Sequence, residues 1–185
     1  MRHRSMWTHH LPSLLVAGLL AAGAPRALHA QHPSTREGFY VGTGIGYGTL
    51  GNTGGRSRND GTMGYVKLGG AVRPNLLLGV EGNGWKATGD HVSFESGVFV
   101  ATVTYYPLPN SGLFLNGGPG MAGVETEQAG FSGETEMGFA LLAGGGYDFR
   151  VGDMVSVTPS LSYVWGTFDE GKTNNFQFAI GITFH

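Results

Sequence analysis

The sequence predicts an all-β protein: an eight-stranded antiparallel up-and-down transmembrane β-barrel, preceded by a cleaved signal peptide. Three observations carry this expectation. The chain is glycine-rich and poor in charge, it opens with an export-type leader, and from residue 37 onward its apolar residues recur with period two.

Of 185 residues, 34 are glycine, 41% are hydrophobic and only 13% are charged, about half the charged share of an ordinary soluble domain. Glu, Lys and Leu are too few for a coiled coil, and the glycines keep no collagen-like three-residue period. An aromatic content of 11% speaks against a disordered chain. Cysteine is absent, which excludes disulfide frameworks, Cys-based zinc sites and thiol catalysis. The formal net charge is −2, so no basic excess exists to hold a nucleic acid.

Residues 1–30 read as the leader. Arg2 and Arg4 stand at the start, no acidic residue comes before Glu37, and an apolar run follows from Leu14 to Gly23. That run is too short to cross a bilayer, which takes about 20 residues, and it has the length of a secretory h-region. Cleavage is expected after Ala30, leaving a short segment, residues 31–36, ahead of a barrel over residues 37–185. Cleavage removes three basic and no acidic residues, leaving eight basic against thirteen acidic and a net charge of −5. His32, His91 and His185 remain, too scattered for a metal site, and no cofactor is expected.

The strands follow in order. Phe39, Val41, Ile45 and Tyr47 alternate with Tyr40, Gly42, Gly44, Gly46 and Gly48. Val66, Leu68 and Val72 mark a second strand, Leu76, Leu78 and Val80 a third, and Phe99, Ala101, Val103 and Tyr105 a fourth. Leu113 and Leu115 begin a fifth, which runs on less cleanly past Gly117, Pro119 and Met121. Phe139, Leu141, Ala143, Tyr147 and Phe149 mark the sixth, and Val155, Val157, Leu161, Tyr163 and Trp165 the seventh. In the eighth, Phe176, Phe178, Ile180, Ile182 and Phe184 share one parity. Such alternation marks a strand with one apolar face.

Short turns are expected at residues 73–75, 107–111 and 150–153, and longer polar loops at 48–61, 87–92, 125–136 and 166–175. Alternating short and long connections suit an up-and-down meander whose short turns face one side of a membrane. The parity opposite the apolar one carries Gly, Asn, Gln, Ser, Thr, Lys and Glu. Many of these are small, and glycine-rich inward positions suit the narrow inside of an eight-stranded barrel. The large apolar face must then meet lipid, where only a closed barrel leaves no backbone group unpaired. Two aromatic girdles are expected: Phe39, Tyr105, Tyr106, Tyr147, Phe149 and Phe184 at the short-turn end, and Tyr47, Phe94, Trp165 and Phe176 at the other.

Gly38-Phe39-Tyr40-Val41-Gly42, the run Ala101-Thr102-Val103-Thr104-Tyr105-Tyr106-Pro107 and the segment from Phe176 onward resemble the small outer-membrane β-barrel family of the OmpA, OmpX and opacity-protein type. The resemblance covers nearly all of residues 37–185. It implies an integral outer-membrane location, contact with outer-membrane lipid and lipopolysaccharide, and a monomeric state. It also implies that Phe176, Phe178, Ile180, Ile182 and Phe184 form the signal read by the outer-membrane insertion machinery. The family ends that signal on the aromatic residue; here His185 follows Phe184. With no residues after 185, the peptidoglycan-binding domain of longer relatives is expected to be missing.

Few motifs suggest chemistry. Gly166 to Thr173 fits G-x-x-x-x-G-K-[ST], but a phosphate-binding loop needs a helix after it. An alternating strand follows instead, and Asp169 and Glu170 would repel phosphate. Gly42 to Gly48 lacks the spacing of a dinucleotide fingerprint. His91, Ser93 and Glu95 share a strand face, as the base, nucleophile and orienting carboxylate of a lipid A deacylase would. Successive members lie about 7 Å apart, which puts Glu95 out of reach of His91.

Lys67, Glu81, Tyr65, Asn83, Trp85, Asn116 and Gln177, with Tyr40, fall on inward parity and are expected to form a polar cluster plugging the lumen. A turn at Pro74 with Val72 opposite Leu76 sets Lys67 across from Glu81, Tyr65 across from Asn83 and Gly69 across from Gly79, near enough for an ion pair. The function expected is non-enzymatic, structural or surface-interacting, exercised through exposed loops. The alternatives are a narrow solute channel resembling the OmpW type and a lipid A-modifying enzyme.

Overall fold

A computed structural model describes residues 36–52, 58–88, 92–108, 110–128, 131–132, 136–169 and 171–185. The expected signal peptide and most of the 31–36 segment lie outside these residues, as does His91.

Eight long strands form the molecule: β1 (Phe39–Asn52), β2 (Arg58–Arg73), β3 (Leu76–Thr88), β4 (Val92–Tyr105), β5 (Leu113–Gln128), β6 (Glu136–Tyr147), β7 (Val155–Phe168) and β8 (Gly171–Phe184). Each pairs antiparallel with its neighbour in sequence, and β8 pairs with β1 from Val41–Phe184 to Asn52–Thr173. The sheet is therefore a closed barrel with no free edge.

Its size follows from the register. The partners of Gly42 run through Lys67, Glu81, Val100, Gly120, Ala140, Gly166 and Thr173 and return to β1 at Asn52, ten residues further along. A shear of ten on eight strands, at ordinary strand spacing, gives a tilt of about 40° and a backbone radius of about 8 Å. Such a cylinder holds side chains and little else.

The outer face is apolar. Ile45 is 78% exposed and Leu161 65%, and Val66, Leu68, Val103, Leu141, Phe178, Ile180 and Ile182 are exposed with them. On β8 the outward residues run from Phe176 to Phe184, about 20 Å of height at this tilt, close to the apolar band of about 25 Å that a membrane barrel presents. Phe39, Tyr105, Tyr147, Phe149 and Phe184 ring the short-turn end, with Tyr147 and Phe149 rings 4.6 Å apart. Tyr47, Tyr163, Trp165 and Phe176 lie on the outer face toward the far end, with Tyr163 and Phe176 rings 4.6 Å apart. Two residues leave the expected girdles. Tyr106 is 3% exposed and packs with Tyr40, Leu77 and Phe114 inside the barrel, while Phe94 packs on an interior cluster of Met63, Tyr65, Trp85, Ala87 and Ala179.

The far-end connections are shorter than expected. β1 continues to Asn52 and β2 starts at Arg58, β3 reaches Thr88, β5 reaches Gln128, and β7 and β8 pair up to Phe168–Gly171. Polar residues extend the strands beyond the apolar band because backbone pairing persists whether lipid or water lies outside. At the β2–β3 turn the register slips between Ala71 and Arg73, so Arg73, not Val72, faces Leu76.

Nor is the interior uniformly polar. Val98, Val100, Ala122, Ala140, Leu142 and Val164, from β4 to β7, form a buried aliphatic cluster. Inward glycines that a Cβ would crowd lie on β5 and β6, at Gly118, Gly120, Gly138, Gly144 and Gly146, as well as on the β8–β1–β2–β3 side. There a Cβ on Gly42 would lie 2.6 Å from the Lys67 chain, and one on Gly46 would lie 2.6 Å from the Ala179 Cα.

Candidate functional site: a filled lumen closed at one end

Each residue of the expected lumen cluster takes an inward position. Tyr65, Glu81, Asn83, Trp85 and Gln177 are at most 7% exposed, as is Tyr40, while Lys67 and Asn116 are half-buried. Across the lumen from β3 to β8, Asn83 Nδ2 donates to Gln177 Oε1 at 2.7 Å, and Gln177 Nε2 returns a bond to Asn83 Oδ1 at 3.1 Å. This amide pair satisfies two buried polar groups with each other, which burial requires. Trp85 Nε1 donates to the Gly48 carbonyl at 3.0 Å, tying β3 to β1 over the top of β2.

Lys67 sits directly across from Glu81, with Tyr65 opposite Asn83 and Gly69 opposite Gly79. The ion pair that this register invites does not form among the described residues. The Lys67 ammonium instead leans between two rings, 5.1 Å from the Phe114 centroid and 5.7 Å from Tyr65. Lys67, Glu81, Tyr65, Phe114, Asn116 and Gln177 help enclose a cavity of about 10 Å³, room for a single water.

A second network, not anticipated from the sequence, closes the short-turn end. Tyr106, in the β4–β5 connection, donates its hydroxyl to Asp148 Oδ2 at 2.7 Å. Thr158 Oγ1 bonds Asp148 Oδ1 at 2.7 Å and shares a hydrogen bond with Thr183 at 3.0 Å. The His185 Nε2 lies 3.6 Å from Asp148 Oδ2, a long contact beside the two hydroxyl bonds. Arg36 stacks its guanidinium 3.5 Å from the Tyr106 ring centroid and donates to the Ser111 carbonyl at 2.9 Å.

The local chain explains this convergence. β6 ends at Tyr147, and Asp148 turns inward before the two-residue bridge Phe149–Arg150 that pairs with β7. Its N–H bonds the Gly112 carbonyl at 2.9 Å. Burial alone would raise the Asp148 carboxyl; contacts from His185, Thr158 and Tyr106, with the Lys67 charge, outweigh it and hold it at about 2. Burial and the adjacent Asp148 carboxylate push the Tyr106 phenol up. Inward parity was the available signal, since Asp148, Thr158, Thr183 and His185 all continue the lumen-facing positions of their strands.

The remaining motifs yield no catalytic arrangement among the described residues. Gly166 to Phe168 and Gly171 to Thr173 lie on paired strands, so the phosphate-loop pattern falls on a β-hairpin. Glu95 is ion-paired with Lys86, and its expected partner His91 lies outside the described residues. The same residues hold no group of His, Asp or Glu able to bind a metal.

No protein-family model matches the chain, and no curated protein matches it in sequence. Solved structures do match. The surface protein NspA of Neisseria aligns at 16% identity with a TM-score of 0.61, over 79% of this chain and 96% of that one. Ail, the attachment invasion locus protein of Yersinia pestis, aligns at 16% identity with a TM-score of 0.55, over 80% of this chain and 99% of that one. The N-terminal β-barrel domain of Pseudomonas aeruginosa OprF aligns at 12% identity with a TM-score of 0.50, over 80% of this chain and 97% of that one. The fold is thus that of the small eight-stranded outer-membrane barrels.

Proposed function

We propose that this protein is a non-enzymatic, monomeric outer-membrane barrel that acts at the cell surface through its far-end hairpins, with its short turns in the periplasm. The observation that carries this reading is the filled lumen. The Asn83–Gln177 amide pair crosses it, the space beside Lys67 and Glu81 has room for one water at most, and the Arg36–Tyr106–Asp148 network closes its lower end. A lumen crossed and packed in this way suits presentation of a surface rather than passage of a solute. Ail, whose fold it shares, is named for attachment and invasion. Delivery is proposed to follow cleavage of residues 1–30 and recognition of Phe176, Phe178, Ile180, Ile182 and Phe184 by the insertion machinery.

Cells displaying the full chain, compared with cells displaying a variant whose residues 53–57 and 129–135 are replaced by Gly-Ser, test this reading. Loss of binding to lipopolysaccharide-coated or host-cell surfaces in the variant is the expected result. Single-channel steps from the purified protein in planar bilayers, or a change in lipid A mass in cells that express it, would overturn it.

A further inference from the structure

We propose that the short-turn mouth of the barrel is a binding socket for a guanidinium group, occupied in cis by Arg36 on a glycine-hinged strap and open to exchange with an arginine side chain of a second protein. The socket lies at the opposite end from the far-end hairpins, so it goes beyond the surface-contact reading. Only its facing the periplasm rests on that reading.

The walls of the socket come from two connections, both distant from Arg36 in sequence. The β4–β5 connection supplies the Tyr106 ring, whose centroid lies 3.5 Å from the guanidinium carbon, and the Ser111 carbonyl, 2.9 Å from Nη2. The β6–β7 connection supplies Asp148, which takes the Tyr106 hydroxyl at 2.7 Å and sets a negative charge behind the ring. Other contacts hold these walls in place. The Tyr106 ring packs 5.8 Å from that of Phe114, and Asp148 also takes Thr158 while its N–H bonds the Gly112 carbonyl. The socket is therefore built without any help from its occupant's own segment.

The occupant is held less completely than its burial calls for. Arg36 is 4% exposed, yet its Nε and Nη1 have no hydrogen-bond partner, and among the described residues no carboxylate is in ion-pair contact with it. Buried donors are normally satisfied. Arg36 is retained by one ring face and one carbonyl. Its path into the mouth turns on Gly38, at φ +83°, a left-handed conformation that glycine adopts without strain. The Gly38 carbonyl is fixed by the Ala71 N–H at 2.9 Å. The next residue, Phe39, is 89% exposed on the outer wall, so the chain passes from the buried mouth to the outside of β1 within three residues.

A ring face beside a carbonyl, with a carboxylate behind, selects one kind of cation. A guanidinium stacks by its plane while donating from its edge, whereas an ammonium is a strongly hydrated point charge that cannot do both. Tethering gives Arg36 a high effective concentration at the socket, and that offsets its missing hydrogen bonds. An occupant kept by its tether more than by its contacts is one that an untethered arginine can displace.

Chemical rescue of the folded full chain in detergent tests the assignment. Arg36→Ala should lower the urea midpoint, and millimolar guanidinium should restore most of the loss while leaving the parent unchanged. Ammonium, at the same concentration, should restore nothing. N-acetyl-arginine amide, followed through the ring resonances of Tyr106, should bind Arg36→Ala at least tenfold more tightly than the parent, where Arg36 competes. Gly38→Ala should fall between the two, because a Cβ there meets nothing within 4 Å and only the backbone hinge is strained. The difference between heated and unheated electrophoretic mobility confirms that each variant is folded, and Gly38→Ala against the parent carries the comparison if Arg36→Ala does not fold. Absence of rescue, equal rescue by ammonium, or equal affinity of the arginine amide for the parent and the variants would overturn it. The surface-contact reading is tested at the far-end hairpins, so its failure and the failure of this one are separable.

Discussion

The Tyr106 hydroxyl donates to the Asp148 carboxylate at 2.7 Å, joining two connections 42 residues apart at the mouth of the barrel. The carboxylate also takes Thr158, so it fastens β7 and the β4–β5 connection through one group. Hydrogen bonds to a charged acceptor contribute roughly 1.5–3 kcal/mol each, and removing one partner leaves the others buried. Tyr106→Phe should therefore cost about 2 kcal/mol of unfolding free energy in micelles, and Asp148→Ala more, because it strands Tyr106 and Thr158 together. Urea titration followed by tryptophan fluorescence reads both; a Tyr106→Phe protein as stable as the parent would show that the network is incidental.

The same network sets an acid limit. The Asp148 carboxyl is held at about 2 against an ordinary 3.8, so its folded form favours the charged state. A depressed carboxyl contributes stability in full above its unfolded pKa and loses it as pH falls through the folded one. The Asp148 contribution to stability should thus be flat from pH 7 to about 5, then fall by about 2 kcal/mol between pH 4 and pH 2. Asp148→Asn should remove that step, which a urea titration series across pH measures directly.

Close approach separates the glycines into two kinds. On Gly46 a Cβ would meet the Phe178 carbonyl and lie 2.6 Å from the Ala179 Cα, whereas on Gly84 it would meet nothing within 4 Å. Gly46→Ala must push two backbones apart and should cost roughly 1–3 kcal/mol. Gly84→Ala should be neutral or stabilising by up to about 1 kcal/mol, since it only restricts the unfolded chain. Thermal shift of the two variants in the same detergent gives the comparison.

On the lipid side, Val103 and Leu141 are 46% and 45% exposed on the outer face. An Arg there costs roughly 2–4 kcal/mol if it lies near the membrane midplane. Val103→Arg and Leu141→Arg should impair assembly, while Thr102→Ser, on the inward parity, should not. Ala140→Ser is less innocent than parity alone suggests, because Ala140 is fully buried in the aliphatic cluster. The yield of heat-modifiable folded protein ranks the four.

Much of this barrel could be read from period two alone. The outward residues of every strand and the Lys67–Glu81 register follow from alternation and one turn. What alternation could not supply was content on the inward side. Val98, Val100, Leu142 and Val164 are inward and apolar, and nothing in a strand with large residues on both faces says which face meets lipid. Loop lengths failed for a related reason. Polar residues of the β1–β2 and β7–β8 hairpins look like loop, yet they pair as strand because water and lipid both leave the ladder intact. The Asp148 network was hidden by distance. It assembles Arg36, Tyr106, Asp148 and His185 from separate connections and chain ends, and only the closed barrel brings them together.

Lys67 and Glu81 face each other across β2 and β3, yet the ammonium rests between the Phe114 and Tyr65 rings. Their attraction therefore acts across a gap, through a low-dielectric interior, and not through a shared hydrogen bond. Removing either charge leaves the other inside the barrel, where an uncompensated charge is costly. Lys67→Met should destabilise most through Glu81, which is 5% exposed, and Glu81→Gln less, because half-buried Lys67 keeps ring contacts and the pull of Asp148. Removing both charges relieves each penalty, so the double variant should be milder than the sum of the singles. A gap of this kind weakens the coupling to about 1 kcal/mol, short of a contact pair. A double-mutant cycle by urea unfolding reads that number. Strict additivity would mean that lumen water already screens the two groups, and a coupling above about 3 kcal/mol would mean that they close into contact in the folded ensemble.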